Sequence, residues 1–292
     1  MTTMDGTRNP KSIAVLGAGV MGSDIALQLA SSGYPVTLKD IRKNALEASK
    51  KRITDGFRLM KMMKKAGSLS IEEVLSRIDF VTSYDGFDKI EMVVENITEN
   101  YDSKKALYKE LREVCKENVV YGVNTSCISI TRIGALMPRP ENVIGMHFMN
   151  PVPMSSLVEV VQGHHTSQET LEITKTFITR LGKTFVVVYD FPGFVTNRVL
   201  MLAINECVWL VQDQVSKASD IDKIFRLGIG HKMGPLATAD LIGLDTVLNS
   251  LIVLFESYND PKFRPCPLLR RMVDAGLLGK KTGRGFFEYG VS

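Results

Sequence analysis

Cysteine is scarce in this 292-residue chain: Cys115, Cys127, Cys207 and Cys266 are scattered, and no two form a CxxC pair. No histidine stands at metal-ligand spacing from them. The pattern excludes a disulfide framework and a structural zinc site, and it fits a cytoplasmic, reducing location. The pair His164–His165 sits in a polar turn and reads as solvated. Long hydrophobic runs are missing as well. Runs such as Leu251–Phe255 are too short to span a bilayer, so no membrane association is expected. The stretch Met1–Lys11 is polar and lacks the apolar segment of a secretion signal. Charge of one sign is not in excess either. A formal net charge of +4 gives no argument for a nucleic-acid partner, while leaving room for an anionic small molecule or an acidic protein. No internal repeat or low-complexity segment is present. What remains, 45% hydrophobic and 23% charged residues, is the composition of a soluble globular protein long enough for two domains.

The first half reads as a nucleotide-binding α/β unit. Ser12–Leu16 is a continuous apolar run of the kind found in buried parallel strands. It leads into Gly17-Ala18-Gly19-Val20-Met21-Gly22, then a helical stretch that Gly33 closes, then a second strand, Pro35–Lys39, ending at Asp40. In such a unit Gly17 permits the tight turn. Gly19 lets backbone approach a pyrophosphate, and Gly22 lets helix pack closely on strand. The helix N-terminus, with Val20 and Met21 in its first turn, offers amides to the phosphates. Asp40 stands where a carboxylate accepts ribose hydroxyls and repels a 2′-phosphate, which favours NAD over NADP. Further strands are expected at Met92–Glu95, Val119–Val123 and Val143–Met146, with a helix over Ser103–Glu117. Residues 44–77 are helical but too long for a crossover helix. They carry Lys50, Lys51, Arg52, Arg58, Lys61, Lys64 and Lys65, and read as an inserted helical hairpin, either a solvated face or a landing site for an anionic handle.

Beyond the strand Phe185–Tyr189, the breakers in Asp190-Phe191-Pro192-Gly193-Phe194 mark a boundary. Helices are expected over Val195–Gln214, from a cap at Ser219 through Arg226, over Leu244–Tyr258 and over Pro267–Ala275. The organisation is therefore a Rossmann-type doubly wound sheet domain at 1–190, with the hairpin at about 44–77, and a smaller all-α domain at 191–292. So apolar a helical domain is often completed by pairing, so a homodimer is expected.

Two lone ionisable residues stand out. His147 lies in Gly145–Phe148 and Glu159 between Val158 and Val160, each in an apolar strand. A buried Glu needs a partner. The intervening Pro-containing turn lets the strands return antiparallel and face the two side chains. A carboxylate that holds an imidazole in one tautomer makes a general base working near neutral pH. A satisfied core pair without chemistry is the alternative.

These residues and their order resemble the L-3-hydroxyacyl-CoA dehydrogenase family across almost the whole chain. The matching blocks include Gly17–Gly22, Val94–Asn100, Asn124–Ser126, His147–Pro153, Leu157–Val161, Pro192–Arg198, Asp240–Asp245 and Lys281–Phe286. The resemblance implies NAD-dependent interconversion of a 3-hydroxyacyl thioester and its 3-oxoacyl form. His147 would be the general acid/base, oriented by Glu159, with Ser126 bonding the substrate oxygen and Asn197 positioning substrate. Asn150 would sit beside the histidine, and Glu99 and Lys104 would line the cofactor cleft. Ser126 with Asn124 could instead shape a turn, Asn197 could cap a helix, and charges at 99 and 104 are common at a helix start. Lys61 and Lys64 would meet the substrate handle, either CoA or, because Met233–Asp245 and Pro265–Leu269 resemble a subgroup from extender-unit biosynthesis for antibiotics and polyketides, an acyl carrier protein. The substrate there would be a three-carbon group such as glyceryl. A non-enzymatic NAD-binding protein is the remaining class. The β-hydroxyacid dehydrogenases share the glycine opening but use a catalytic lysine in their helical domain, whereas the His–Glu strand pair here fits the acyl-thioester family better. Two positions depart from the family: Asp24, where Gly is frequent, which could repel phosphate, and Gly56, where some members carry a CoA-contacting Ser.

Overall fold

In the computed structural model, which describes residues 8–290, each apolar run of the first half becomes a strand of one sheet. The start of the polar stretch Met1–Lys11 lies outside the described residues. Two units are distinguished, Met1–Asp190 and Phe191–Ser292. The first contains, in order, β1 (Ile13–Leu16), α1 (Val20–Ser31), β2 (Val36–Lys39), α2 (Lys43–Met62), α3 (Ile71–Leu75), β3 (Ile78–Val81), β4 (Met92–Glu95), α4 (Tyr101–Val114), β5 (Val120–Val123), α5 (Ile130–Gly134), β6 (Val143–Phe148), β7 (Leu157–Gln162), α6 (Gln168–Arg180) and β8 (Thr184–Tyr189). The strand order is β3-β2-β1-β4-β5-β6-β7-β8. The strands from β3 to β6 are mutually parallel, while β7 pairs antiparallel with β6 and β8 parallel with β7.

The chain leaves β1 to one side through β2 and β3 and returns to its other side at β4. The crevice beyond the carboxyl ends of β1 and β4 is thus the topological switch point, where sheets of this kind seat ligands. β1 and β4 are buried along their whole length, as covered central parallel strands must be. α1 packs on α2, and their apolar faces join the sheet in one core around Ile25, Leu29, Leu46, Ile53 and Phe57. The inserted helical segment is one long helix, α2, followed by the single-turn α3. Ser70 and Glu73 form a capping box at the start of α3. The four-residue edge strand β3 was not anticipated. Its Asp79 and its half-exposed Phe80 and Val81 give it little apolar signal.

The second unit holds α7 (Thr196–Gln212), α8 (Ala218–Gly228), α9 (Pro235–Ile242), α10 (Leu244–Tyr258) and α11 (Pro267–Asp274). Its core centres on Ile204, Leu236, Val247, Leu251 and Phe263. Ser219 is not the cap of α8: Lys217 occupies that position, and Ser219 lies inside the first turn. Asn197 does not cap α7 either. Val195 does, and Asn197 follows Thr196 in the first turn. The glycine-rich tail wraps buried Asp240, whose carboxylate accepts the Phe286 and Phe287 amides and the Tyr289 hydroxyl. Among the described residues no single helix is long and apolar enough to cross a membrane. The pair α9–α10 qualifies only jointly and is bent by 97°.

Candidate active site

The glycine turn after β1 is shaped by backbone constraints. Gly17 has φ +90°, a left-handed conformation suited to glycine. A Cβ on Gly22 would strike the Gly17 carbonyl, so α1 can approach the turn only with glycine there. Gly19 takes the N-cap position of α1 and supplies no side chain, so the first-turn amides face outward. Asp40 braces this turn: its Oδ2 accepts the Ala18 amide at 2.9 Å and its Oδ1 the Arg42 amide at 3.0 Å.

A cavity of about 710 Å³ opens here at the switch point. Gly17, Gly19, Val20, Met21 and Asp40 line it, joined by Asn96 and Thr98 after β4. A Cβ on Gly19 would meet nothing within 4 Å, so backbone can approach a pyrophosphate there, and an anion on the α1 amides matches their polarity. The residues present therefore fit a dinucleotide. Sequence reasoning missed Lys39 and Tyr84 in this lining. The Lys39 ammonium lies 3.9 Å from the centre of the Tyr84 ring. Burial pushes the Lys39 pKa down, against the pull of Glu110 and Asp40.

Glu99 and Lys104 do not line this cavity. Lys104 is a correction to its expected place in the cofactor cleft. It is wholly buried, with Nζ 2.6 and 2.7 Å from the two carboxylate oxygens of equally buried Glu95. Burial pushes the Glu95 carboxyl pKa up, against the Lys104 ammonium and the Ile97 amide that Oε1 accepts at 2.8 Å. The available signal was a lone Glu at the end of an apolar strand, which requires a cation.

At the ends of β5 and β6 the second cluster assembles. β6 and β7 pair with His147 directly opposite Glu159, which puts both side chains on one face. His147 Nδ1 lies 2.7 Å from Glu159 Oε2, and both residues are buried. An ionised carboxylate only accepts, so Nδ1–H donates to it, and Nε2 is left as the acceptor. Nε2 lies 3.3 Å from Ser126 Oγ, in the segment after β5. Asn124 ties the same strand ends together. Its Nδ2 donates to Asn96 Oδ1 at 2.8 Å, and its Oδ1 accepts the Phe148 amide at 3.1 Å.

The turn between β6 and β7 carries exposed Asn150 and is held from outside. Asp24 Oδ2 accepts the Val152 amide at 3.2 Å. Lys183 Nζ donates to the carbonyls of Val152 (2.6 Å) and Ser155 (2.7 Å), and Lys65 Nζ to that of Met154 (2.8 Å). Burial, and then nearby Lys65, push the Lys183 pKa down to about 8. Asp24 thus holds the β6–β7 turn and, contrary to expectation, does not face the phosphate turn. It borders a separate cavity of about 320 Å³ with Arg52, Leu59 and Pro153, and burial raises its pKa against Val152 N–H and Arg52. A side chain at Gly56 would point at Leu27 Cδ2, 2.9 Å away. Lys61 and Lys64 are exposed near the end of α2, and Lys61 Nζ donates to the Gly67 carbonyl. Asn197 belongs to the helical unit, in the first turn of α7. No group of three or more potential metal ligands exists among the described residues.

Residues 12–191 match the NAD-binding domain of 3-hydroxyacyl-CoA dehydrogenase, and residues 193–289 match its C-terminal domain. The chain belongs to the 3-hydroxyacyl-CoA dehydrogenase family. A probable 3-hydroxybutyryl-CoA dehydrogenase of Bacillus subtilis is 44% identical over 96% of this chain and 97% of its own length. Among solved structures, (S)-3-hydroxybutyryl-CoA dehydrogenase PaaH1 of Ralstonia eutropha is 39% identical, with TM-score 0.89 over 97% of this chain and 100% of the other. FadB2 of M. tuberculosis is 34% identical, with TM-score 0.93 over the same shares. Membership makes this an oxidoreductase with NAD as its cofactor, and it accounts for a dinucleotide-shaped cavity and a His–Glu pair in one unit.

Proposed function

We propose that this protein interconverts short-chain 3-hydroxyacyl-CoA and 3-oxoacyl-CoA, with 3-hydroxybutyryl-CoA as the leading substrate. The observation that carries the mechanism is the His147–Glu159 contact at 2.7 Å, with Nε2 turned toward Ser126. In oxidation, His147 Nε2 takes the proton of the 3-hydroxyl, while Ser126 Oγ hydrogen-bonds the same oxygen as it becomes a carbonyl. Glu159 keeps Nδ1 protonated and stabilises the imidazolium that forms. In reduction, His147 returns the proton to the 3-oxygen. Such a base contributes about 10²–10⁴-fold. Bound NAD supplies the hydride acceptor, and Gly17, Gly19, Val20, Met21 and Asp40 would hold it. Asn150 and Asn197 are assigned to substrate positioning, and Lys61 and Lys64 to the CoA phosphates.

The B. subtilis and R. eutropha relatives described above are named for a CoA ester, which supports CoA as the handle put forward. Location in the cytoplasm is supported by four free thiols. A homodimer is supported by Ile224 and Leu227 of α8, which stand 59% and 74% exposed in the single chain.

NADH absorbance with acetoacetyl-CoA tests the proposal, with His147→Ala alongside. Rapid oxidation by the wild type and a loss of about 10³-fold or more in the variant is expected, with NADH affinity kept. Full turnover by the variant would overturn the mechanism. NADH binding without turnover in the wild type would overturn the choice of CoA ester.

A further inference from the structure

We infer that Glu99 is a positioning residue for Ser126, acting through the backbone that carries it. This rests on the proposed roles of Ser126 and His147. Glu99 lies in the loop joining β4 to α4, some 26 residues from the segment it holds. One carboxylate oxygen, Oε1, accepts three donors: Thr125 Oγ1 at 2.5 Å, the Ser126 amide at 2.9 Å and the Cys127 amide at 3.0 Å. Thr125 Oγ1 in turn accepts the Ile128 amide at 3.0 Å, so the backbone is wound around a single anion. Hydrogen bonds to an ionised acceptor are the stronger kind, and amides converging on one oxygen form an anion-holding concavity. Here the anion is the protein's own.

The segment has two reasons to need that anchor. Ser126 follows a strand end and belongs to no helix or strand, so no ladder fixes it. Its hydroxyl must nevertheless meet His147 Nε2, at 3.3 Å, and the substrate oxygen together. The other end of the loop holding Glu99 is Asn96, which lines the nucleotide cavity and bonds Asn124. One short loop therefore lines the cofactor's seat through Asn96 and holds, through Glu99, the backbone that carries the Ser126 hydroxyl. This assigns Glu99 differently from a cofactor ligand, and the two assignments separate experimentally.

The test uses the full chain with Glu99→Gln and Glu99→Asp, Ser126→Ala, and Glu99→Gln combined with Ser126→Ala. The readouts are kcat, KM, NADH affinity by fluorescence titration, and the unfolding midpoint. A misplacement of about 1 Å costs on the order of 10²-fold, so Glu99→Gln is expected to lower kcat about 10- to 100-fold with NADH affinity unchanged within about twofold. Glu99→Asp keeps the charge and is expected to recover part of the loss. With Ser126 already removed, Glu99→Gln is expected to lower kcat by less than about threefold, since residues acting as a unit are non-additive. A rise in the NADH dissociation constant matching the fall in kcat/KM would make Glu99 a cofactor contact and overturn the inference. So would a full multiplicative loss in the double variant, or a drop that follows the unfolding midpoint alone. Full activity of Ser126→Ala would instead overturn the proposed role of Ser126, a separate failure.

Discussion

Replacing Lys104 by Met takes from Glu95 the cation it pairs with, in a site where both side chains are 0% exposed. Removing one member of such a pair costs about 3–5 kcal/mol, because the remaining charge stays buried and uncompensated. For a unit of this size about 2–4 °C accompanies each kcal/mol, so K104M should lower the unfolding temperature of the sheet unit by about 6–20 °C. The deficit has a defined pH dependence. The folded-state pKa of Glu95 is raised, chiefly by burial, and losing the ammonium raises it further. Stability from a raised carboxyl pKa is complete below the unfolded value and is lost as pH rises through the folded one, so the K104M deficit should be larger near about pH 8 than near about pH 5. Combining K104M with Glu95→Gln removes both charges while the Gln oxygen still accepts the Ile97 amide. The double variant should return to within about 1–2 kcal/mol of wild type. Thermal and urea unfolding followed by circular dichroism measure all three variants. A K104M deficit below about 1 kcal/mol near pH 8, or a double variant no better than K104M, would refute the reasoning. Loss of NADH affinity without loss of stability would return Lys104 to the cofactor cleft.

Glu159→Gln keeps the shape of its side chain but removes the charge that fixes the His147 tautomer. kcat should fall on the order of 10²–10⁴-fold with unchanged NADH affinity, and a loss under about threefold would make Glu159 a packing residue only. Asp40→Ala removes the brace on the Ala18 amide and the repulsion of a 2′-phosphate. The NADH-over-NADPH preference, measured as the ratio of kcat/KM values, should fall at least about tenfold, and an unchanged ratio would remove Asp40 from cofactor selection.

What could be read from the sequence was what local pattern encodes. The strand, glycine turn, helix, strand and Asp40 are contiguous, and each step has a chain-local signal. The facing of His147 and Glu159 was also readable, because a single turn joins two short apolar strands and register then follows from pairing. Lys104 was misread because a lysine in the first turn of an amphipathic helix ordinarily faces water. Its burial depends on a carboxylate nine residues earlier, at the end of a central strand. Glu99 was noticed but its partners were not, since three donors from another strand end leave no periodic trace. β3 escaped because an edge strand of four residues needs only one buried side, and α8 began early because no side chain caps it.

The turn that separates His147 from Glu159 owes its shape to distant partners. Its backbone is tied to Asp24, 128 residues before Val152, to Lys65, 89 residues before Met154, and to Lys183, 31 residues beyond Val152. The two strands are neighbours in the chain, yet the arrangement that joins them is non-local. Such contacts form only after large loops have closed. The hairpin that pairs His147 with Glu159 is consequently not a portable module. Excised from this protein, or grafted onto another sheet, it would bring its two ionisable residues but not the three tethers that hold its turn.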